Sequence, residues 1–312
     1  MNIKIKYTKY YLLLSMVFII LSIGSLLIKG LNFGIDFSGG NLFQIKYKNA
    51  SDVTLSKVNN TLDKLVKDIP KMDPNSRKVQ ISDDGIVIIR SQEVTESEKK
   101  AITTNLGELG EYSVEREEQV GASIGSELKS SAIYSLIIGG ILIIIYITFR
   151  FEFTFAIGAV LALVHDIVIS VGIVSILGYE INSTFIAAIL TILGYSINDT
   201  IVIFDRIREN LRIRRRNKKT IEETLDESIN QVITRSINTS ITTLFSIIAL
   251  LLFGGDSLKT FVVTLLIGVT AGTYSSLFVA TPLIYLLSKN RSSLENFDEE
   301  KEKQEEEEKI LV

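Results

Sequence analysis

The chain has no cysteine and a single histidine, His165. The first absence excludes a disulfide scaffold, a thiolate zinc site and a cysteine nucleophile. The second excludes a multi-histidine metal centre. A glycine-rich phosphate loop is also missing, because Gly39-Gly40 is not followed by a helix at the required spacing, so the sequence offers nothing to bind ATP. The most informative lack is of charge. Asp, Glu, Lys and Arg make up 22% of the chain, yet residues 130–149, 236–255 and 260–288 contain none of them. Each of these runs is long enough to cross a bilayer, which takes about 20 residues. The apolar share, 46%, is ordinary for a globular chain, and the mean hydropathy is +0.31. It is the sorting of charge out of long stretches that makes this a membrane protein.

Six apolar segments are present: 11–28, 130–149, 153–178, 181–204, 233–255 and 260–288. Lys4, Lys6 and Lys9 ahead of the first would suit a signal peptide, but no small-x-small cleavage site follows Ile28 and five more spans do, so it is read as a retained span. Orientation follows from Lys and Arg at the span ends. They crowd the N-terminus, residues 1–10, and the link 205–232, which carries Arg206, Arg208, Arg212, Arg214, Arg215, Arg216, Lys218 and Lys219. The short links 179–180 and 256–259 hold only Lys259 between them. Both termini and the basic link are therefore expected in the cytoplasm, with residues 29–129 outside. The basic run 212–219 reads as a topology anchor on anionic membrane lipid, so no nucleic-acid partner is expected. Thr220-x-x-Glu223 caps a helix carrying Ile221, Leu225, Ile229, Val232 and Ile233 on one face, expected at the interface ahead of the fifth span. The tail 289–312 is acidic: residues 295–312 hold nine acidic and three basic residues, whereas the link 205–235 holds nine basic and six acidic ones. The overall charge of −3 is thus a sum of oppositely charged parts.

Residues 29–129 read as a small α+β domain. Residues 41–48 alternate as a strand, and Leu55, Val58, Leu62, Leu65, Val66 and Ile69 recur at helical spacing. Strands at 78–82 and 85–90 flank the turn Asp83-Asp84-Gly85, Thr95-x-x-Glu98 opens a second helix, and 112–119 is a final strand. The order β-α-β-β-α-β is ferredoxin-like. The expected fold class is an α-helical polytopic membrane protein of six transmembrane helices, with one extracytoplasmic α+β domain between helices 1 and 2. Nothing in that domain looks catalytic, and its expected role is to touch another protein.

Ionisable residues inside spans are costly, about +2.5 to +3.5 kcal/mol on insertion scales, and default to functional hypotheses. Asp199 stands in the fourth span beside Asn198 and Thr200, and Arg235 opens the fifth, followed at helical spacing by Thr239, Thr242, Thr243 and Ser246. The chain leaves one span and enters the next on the same side, so an Asp199–Arg235 ion pair is geometrically reasonable. It serves either as a fixed structural bridge or as a carboxylate alternately protonated and paired, which is what a proton-coupled machine needs. His165 and Asp166 adjoin in the third span, and because neighbouring helix positions differ by about 100°, they are not expected to point at one spot. Gly268-x-x-x-Gly272 and Gly139-Gly140 are expected at helix-packing seams, and Pro282 is expected to kink the sixth span. No cofactor or metal is expected.

Several strings together resemble the SecF family, accessory subunits of the bacterial Sec translocase within the RND superfamily. They are Gly34-Ile35-Asp36-Phe37-Ser38-Gly39-Gly40, Val120-Gly121-Ala122-Ser123-Ile124-Gly125, Asn198-Asp199-Thr200 with Phe204-Asp205-Arg206, Asn238-Thr239-Ser240, and Gly272-Thr273-Tyr274-Ser275-Ser276. Ala122 departs from the proline that many members carry. The likeness covers nearly everything except the acidic tail, and the length suits a free-standing SecF. The resemblance implies a non-enzymatic subunit pairing with SecD as two pseudo-symmetric six-helix halves. Ion flow between the halves would drive the outer domains to help release exported polypeptides emerging from SecYEG, with YajC a further partner. Carried over, the coupling residues are Asp199 and Arg235, with Asp166 of the Val164-His165-Asp166 string as a third. Half of an RND-type small-molecule or lipid exporter is the alternative, though such exporters usually carry two large outer loops in one chain. A purely structural translocon subunit is another.

Overall fold

The computed structural model describes residues 3–49, 53–81, 85–214 and 219–289. Residues 290–312 of the acidic tail, residues 215–218 of the basic run and Asp83-Asp84 lie outside the described residues. Two compact units are formed, Phe33–Tyr134 and the helices around it in sequence.

The first unit is the α+β domain. Its elements are β1 (Gly40–Tyr47), α1 (Leu55–Lys64), β2 (Lys78–Ile81), β3 (Ile86–Ser91), α2 (Glu96–Gly107) and β4 (Tyr112–Val120). The sheet runs β2-β3-β1-β4 with every neighbour antiparallel, which is the ferredoxin-like arrangement. Phe43 and Ile45 of β1 face Ile89 and Val87 across the ladder and pack with Val58 and Leu62 of α1 and Ile102 and Leu106 of α2 in one buried core. The Thr95–Glu98 capping box forms as the spacing predicts. Helix α1 stops at Lys64, short of the expected Ile69. The cause is local. Ile69 precedes Pro70, and a residue before proline is disfavoured in helical geometry, while Arg77 pairs with Asp63 at 2.6 Å near the helix end.

Gly39 and Gly40 take positive φ, 69° and 120°. A Cβ on Gly40 would lie 2.1 Å from the Ser91 carbonyl oxygen, and one on Gly125 would lie 2.9 Å from the Gly39 nitrogen. The glycine pair is therefore a close backbone crossing at the start of β1, which only residues without a side chain permit.

Among the described residues six helices are long and apolar enough to cross a membrane: Ile5–Ile28, Ala122–Arg150, Phe153–Leu177, Ser183–Arg214, Ile221–Phe253 and Lys259–Leu287, spans one to six below. The helices overrun the apolar segments, since backbone hydrogen bonding continues through polar sequence wherever no breaker intervenes. Span four runs on to Arg214, and span five starts at Ile221. The expected separate interfacial helix is thus the first turns of span five. Its Leu225, Ile229 and Ile233 are buried in one cluster with Ile203, Phe204, Ile207 and Leu211 of span four, so that face meets protein and not lipid. Asn230 also clamps the N-terminal strand-like segment, donating to the Ile3 carbonyl and accepting from the Ile3 N–H, both at 2.9 Å.

Small residues set the closest helix crossings. Gly268 and Gly272 of span six lie on Ile192 and Ser196 of span four, and Gly172 of span three lies on Ser22 of span one. At the Gly139-Gly140 pair only Gly140 departs from the expected seam: a Cβ on Gly139 would crowd Leu190 of span four at 3.1 Å, whereas Gly140 has nothing within 4 Å. Gly140 instead lines an apolar cavity of about 210 Å³ between spans two, three and four. Near Pro282 span six changes its winding, with a π turn over Ser276–Ala280 before the final helix Thr281–Lys289. Proline at 282 lacks the N–H that residue 278 would otherwise accept, and a wider turn ahead of it accommodates the loss.

Candidate ion-coupling site

Two carboxylates are buried among the spans, and they differ in their partners. Asp199 of span four is 4% exposed, and its Oδ2 has no hydrogen-bond partner among the described residues. The Ser240 hydroxyl and the Arg235 charge, both on span five, are its electrostatic neighbours. The expected Asp199–Arg235 ion pair is not closed to salt-bridge distance: Arg235 is exposed, although its charge reaches Asp199. Asn198 is exposed as well, about 100° around the helix from the buried Asp199. The hydroxyls of Thr239, Thr242, Thr243 and Ser246 bond back to carbonyls of their own helix, which lets them sit in an apolar setting. Only Thr243 among them gains a bond from another span, accepting from the Tyr195 hydroxyl at 3.3 Å.

Asp166 of span three is 1% exposed and fully partnered. Its Oδ2 accepts from the Ser196 hydroxyl of span four at 2.6 Å and from the Ser275 hydroxyl of span six at 2.8 Å. Its Oδ1 lies 2.9 Å from His165 Nδ1. This overturns the expectation that adjacent helix positions keep the two side chains apart: the Cβ directions do diverge, but a histidine is long enough to swing its ring back along the helix surface. In the state where the carboxylate is ionised and the imidazole neutral, Nδ1 carries the hydrogen and Nε2 is bare, because an ionised carboxylate only accepts. Nε2 is buried and has no partner among the described residues. The imidazole lies against Tyr274, with ring centroids 6.2 Å apart, and Tyr274 in turn donates to the Tyr11 carbonyl of span one at 2.9 Å. A second polar link joins spans four and six, where the hydroxyls of Thr200 and Ser276 lie 2.8 Å apart.

Sequence reasoning named Asp166 and His165 but missed Ser196, Ser275, Ser276, Thr200 and Tyr274. The signal was present as hydroxyls at helical spacing, Ser196 and Thr200 beside Asp199 in span four and Ser275-Ser276 in a charge-free span. Serine and threonine are common in membrane helices, and only the crossing of three helices shows which ones converge. Among the described residues no three of His, Cys, Asp or Glu come together as a metal position.

Residues 98–290 match the family model for the protein export membrane protein SecD/SecF, C-terminal, and residues 24–51 match the SecD/SecF GG motif. The protein translocase subunit SecF of Sebaldella termitidis is 44% identical over 289 residues, covering 92% of each chain. This chain belongs to the SecF family. The SecF of Calditerrivibrio nitroreducens is 40% identical over 91% of this chain. Among solved structures, SecDF of Thermus, a translocon-associated membrane protein, superposes with a TM-score of 0.83 at 32% identity over 93% of this chain. This chain spans 39% of that one. SecDF in its super-membrane-facing form gives a TM-score of 0.67 at 31% identity. Family membership makes the protein a multi-pass membrane component of Sec-associated protein export. The GG motif coincides with the close backbone crossing at Gly39-Gly40.

Proposed function

We propose that this chain works with a SecD partner in the bacterial cytoplasmic membrane, using the proton or sodium motive force to promote late steps of protein export. It does so without enzymatic chemistry, with both termini inside and the α+β domain outside. The single observation that carries this reading is an exposed polar face at membrane depth beside a buried carboxylate. Thr191 and Asn198 of span four and Arg235, Asn238 and Thr242 of span five are all exposed, each set on one side of its helix, and Asp199, next to Asn198, is buried. Such a face is expensive against hydrocarbon, and a second helical half covering it supplies polar partners. Similarity to SecDF supports SecD as that half. Arg235, unpaired with Asp199 here, is then free to approach or leave the carboxylate as it gains or loses a cation. A charge crossing 100 mV is worth about 2.3 kcal/mol, enough to bias a two-state equilibrium roughly 50-fold. SecYEG, YajC and the exported polypeptide are the further partners of this reading, and the α+β domain is the surface offered to the last.

The test is secretion and ion flux in cells carrying Asp199→Asn or Arg235→Met. The expected result is a fall in potential-dependent export of up to roughly 50-fold with the complex still assembled. Normal export and normal flux in both variants overturn the coupling role. Loss of drug or lipid tolerance with export intact would favour the exporter reading.

A further inference from the structure

Asp166 gathers hydrogens from three directions onto one carboxylate, and one of those hydrogens has a second place to go. Ser275 Oγ lies 2.8 Å from Asp166 Oδ2 and 3.1 Å from the carbonyl of Gly272 on its own helix. A serine hydroxyl has a single hydrogen, so it serves one acceptor at a time. With Asp166 ionised, the charge-assisted bond takes that hydrogen and ties span six to span three. With the carboxyl protonated at Oδ1, the oxygen His165 faces, Oδ2 is a neutral carbonyl oxygen that no longer offers a charge-assisted bond, and the Ser275 hydrogen returns to Gly272. The tie sits at the last residue of the regular helix, immediately ahead of the π turn Ser276–Ala280, where the winding of span six is already irregular. Gly272 keeps span six against Ser196 at this level, which places both serines within reach of the same oxygen.

We propose that Asp166 is a protonation-controlled pin, whose ionised form fastens spans four and six to span three through Ser196 and Ser275 and whose protonation frees the Ser275 end, letting the segment beyond the π turn re-pack. His165 is the positioning residue. A proton accepted at its bare Nε2 lets Nδ1–H pass to Asp166, so the dyad gains one proton and the imidazole ends neutral as its other tautomer. The titratable groups facing the dyad are few. From span six there is Tyr274, against the imidazole; span one brings only the backbone carbonyl of Tyr11, which Tyr274 holds, while the Tyr11 ring lies on Phe278. From span four there is Asp199, on the turn after Ser196. The pin rests on the cation-driven reading above but is a separate device from Asp199 and Arg235.

The test uses the full chain with its SecD partner in membranes. The sequence has no cysteine, so Leu177→Cys on span three and Leu286→Cys beyond the π turn, both exposed, give a clean spin-label pair for pulsed electron resonance. The expected result is a shift of about 2 Å in the inter-label distance between about pH 5.5 and about pH 8.5. Asp166→Asn is expected to hold the acid distance at both pH values. Ser275→Ala, which leaves the carboxylate but removes the hydrogen from span six, is expected to fix the distance likewise, while Asp199→Asn keeps the shift. A distance that does not change with pH in the parent overturns the pin, as does an undiminished shift in Asp166→Asn or in Ser275→Ala. If Asp199→Asn abolishes export while Asp166→Asn keeps the shift, the pin is wrong and the coupling role of Asp199 stands.

Discussion

Asp199 and Asp166 are the same residue type in neighbouring apolar helices, and their surroundings assign them different work. Asp166 is saturated with donors and holds helices together. Asp199 has a bare oxygen, a hydroxyl neighbour and a nearby cation outside salt-bridge distance, the condition of a group waiting for a counter-charge. Glycines divide the same way. A Cβ on Gly172 would lie 2.1 Å from Ser22 Cβ and 2.5 Å from Ser22 Cα, so spans one and three would have to separate. Gly172→Val is expected to destabilise the protein by about 1–3 kcal/mol, the range for overpacking, read as a lowered thermal midpoint in detergent. Gly140→Ala enters open space and is expected to be neutral or to stabilise by up to about 1 kcal/mol from helix propensity.

Among the elements, the α+β domain carries its own record of pH. Tyr47 of β1 is buried, its hydroxyl donates to the Leu106 carbonyl at 2.9 Å, and burial, followed by the Tyr112 charge, pushes its phenol up to about 12. The folded-state value lies above the unfolded one, so the neutral phenol contributes stability that is fully present below about pH 10. It is lost as pH rises toward 12. Alkaline titration of the full protein, followed by near-ultraviolet tyrosine signals, is expected to show the domain loosening only in that window, with Tyr47→Phe removing the ionisation step. At the acid end the capping box behaves oppositely. The Thr95 backbone N–H, then its hydroxyl, hold the Glu98 carboxyl below its usual range, so that contribution exists above the unfolded value and fades as pH falls. The helices show how far pattern alone reaches. The Thr220–Glu223 and Thr95–Glu98 caps formed where the spacing put them, because a capping box is satisfied within four residues. The interfacial helix did not separate from span five, because nothing between Val232 and Asn238 breaks a helix.

For the whole molecule, Thr191 and Asn198 of span four and Asn238 and Thr242 of span five are exposed polar residues on largely apolar helices. Asn198→Leu combined with Thr242→Leu is expected to weaken co-purification with SecD by about tenfold, as buried polar contacts across a membrane interface are lost at roughly 0.6–1.7 kcal/mol each. Unchanged recovery of the complex would place the partner elsewhere. Much of the molecule was legible in the chain itself. The count of spans, the α+β insertion and its strand order follow from hydropathy, alternation and capping, which are properties of contiguous residues and survive any arrangement of the helices. The strings around Asp199 and Gly39-Gly40 carried the family for the same reason. What only the tertiary structure decided is which polar groups meet. Asp166 was placed third by sequence and stands at the crossing of spans three, four and six, because Gly272 brings Ser196 and Ser275 to one oxygen. Arg235 was paired with Asp199 by depth alone and stands exposed, outside salt-bridge distance, because depth fixes height along a helix and leaves rotation about its axis free. Rotation is set by packing between distant segments, and no local pattern encodes it.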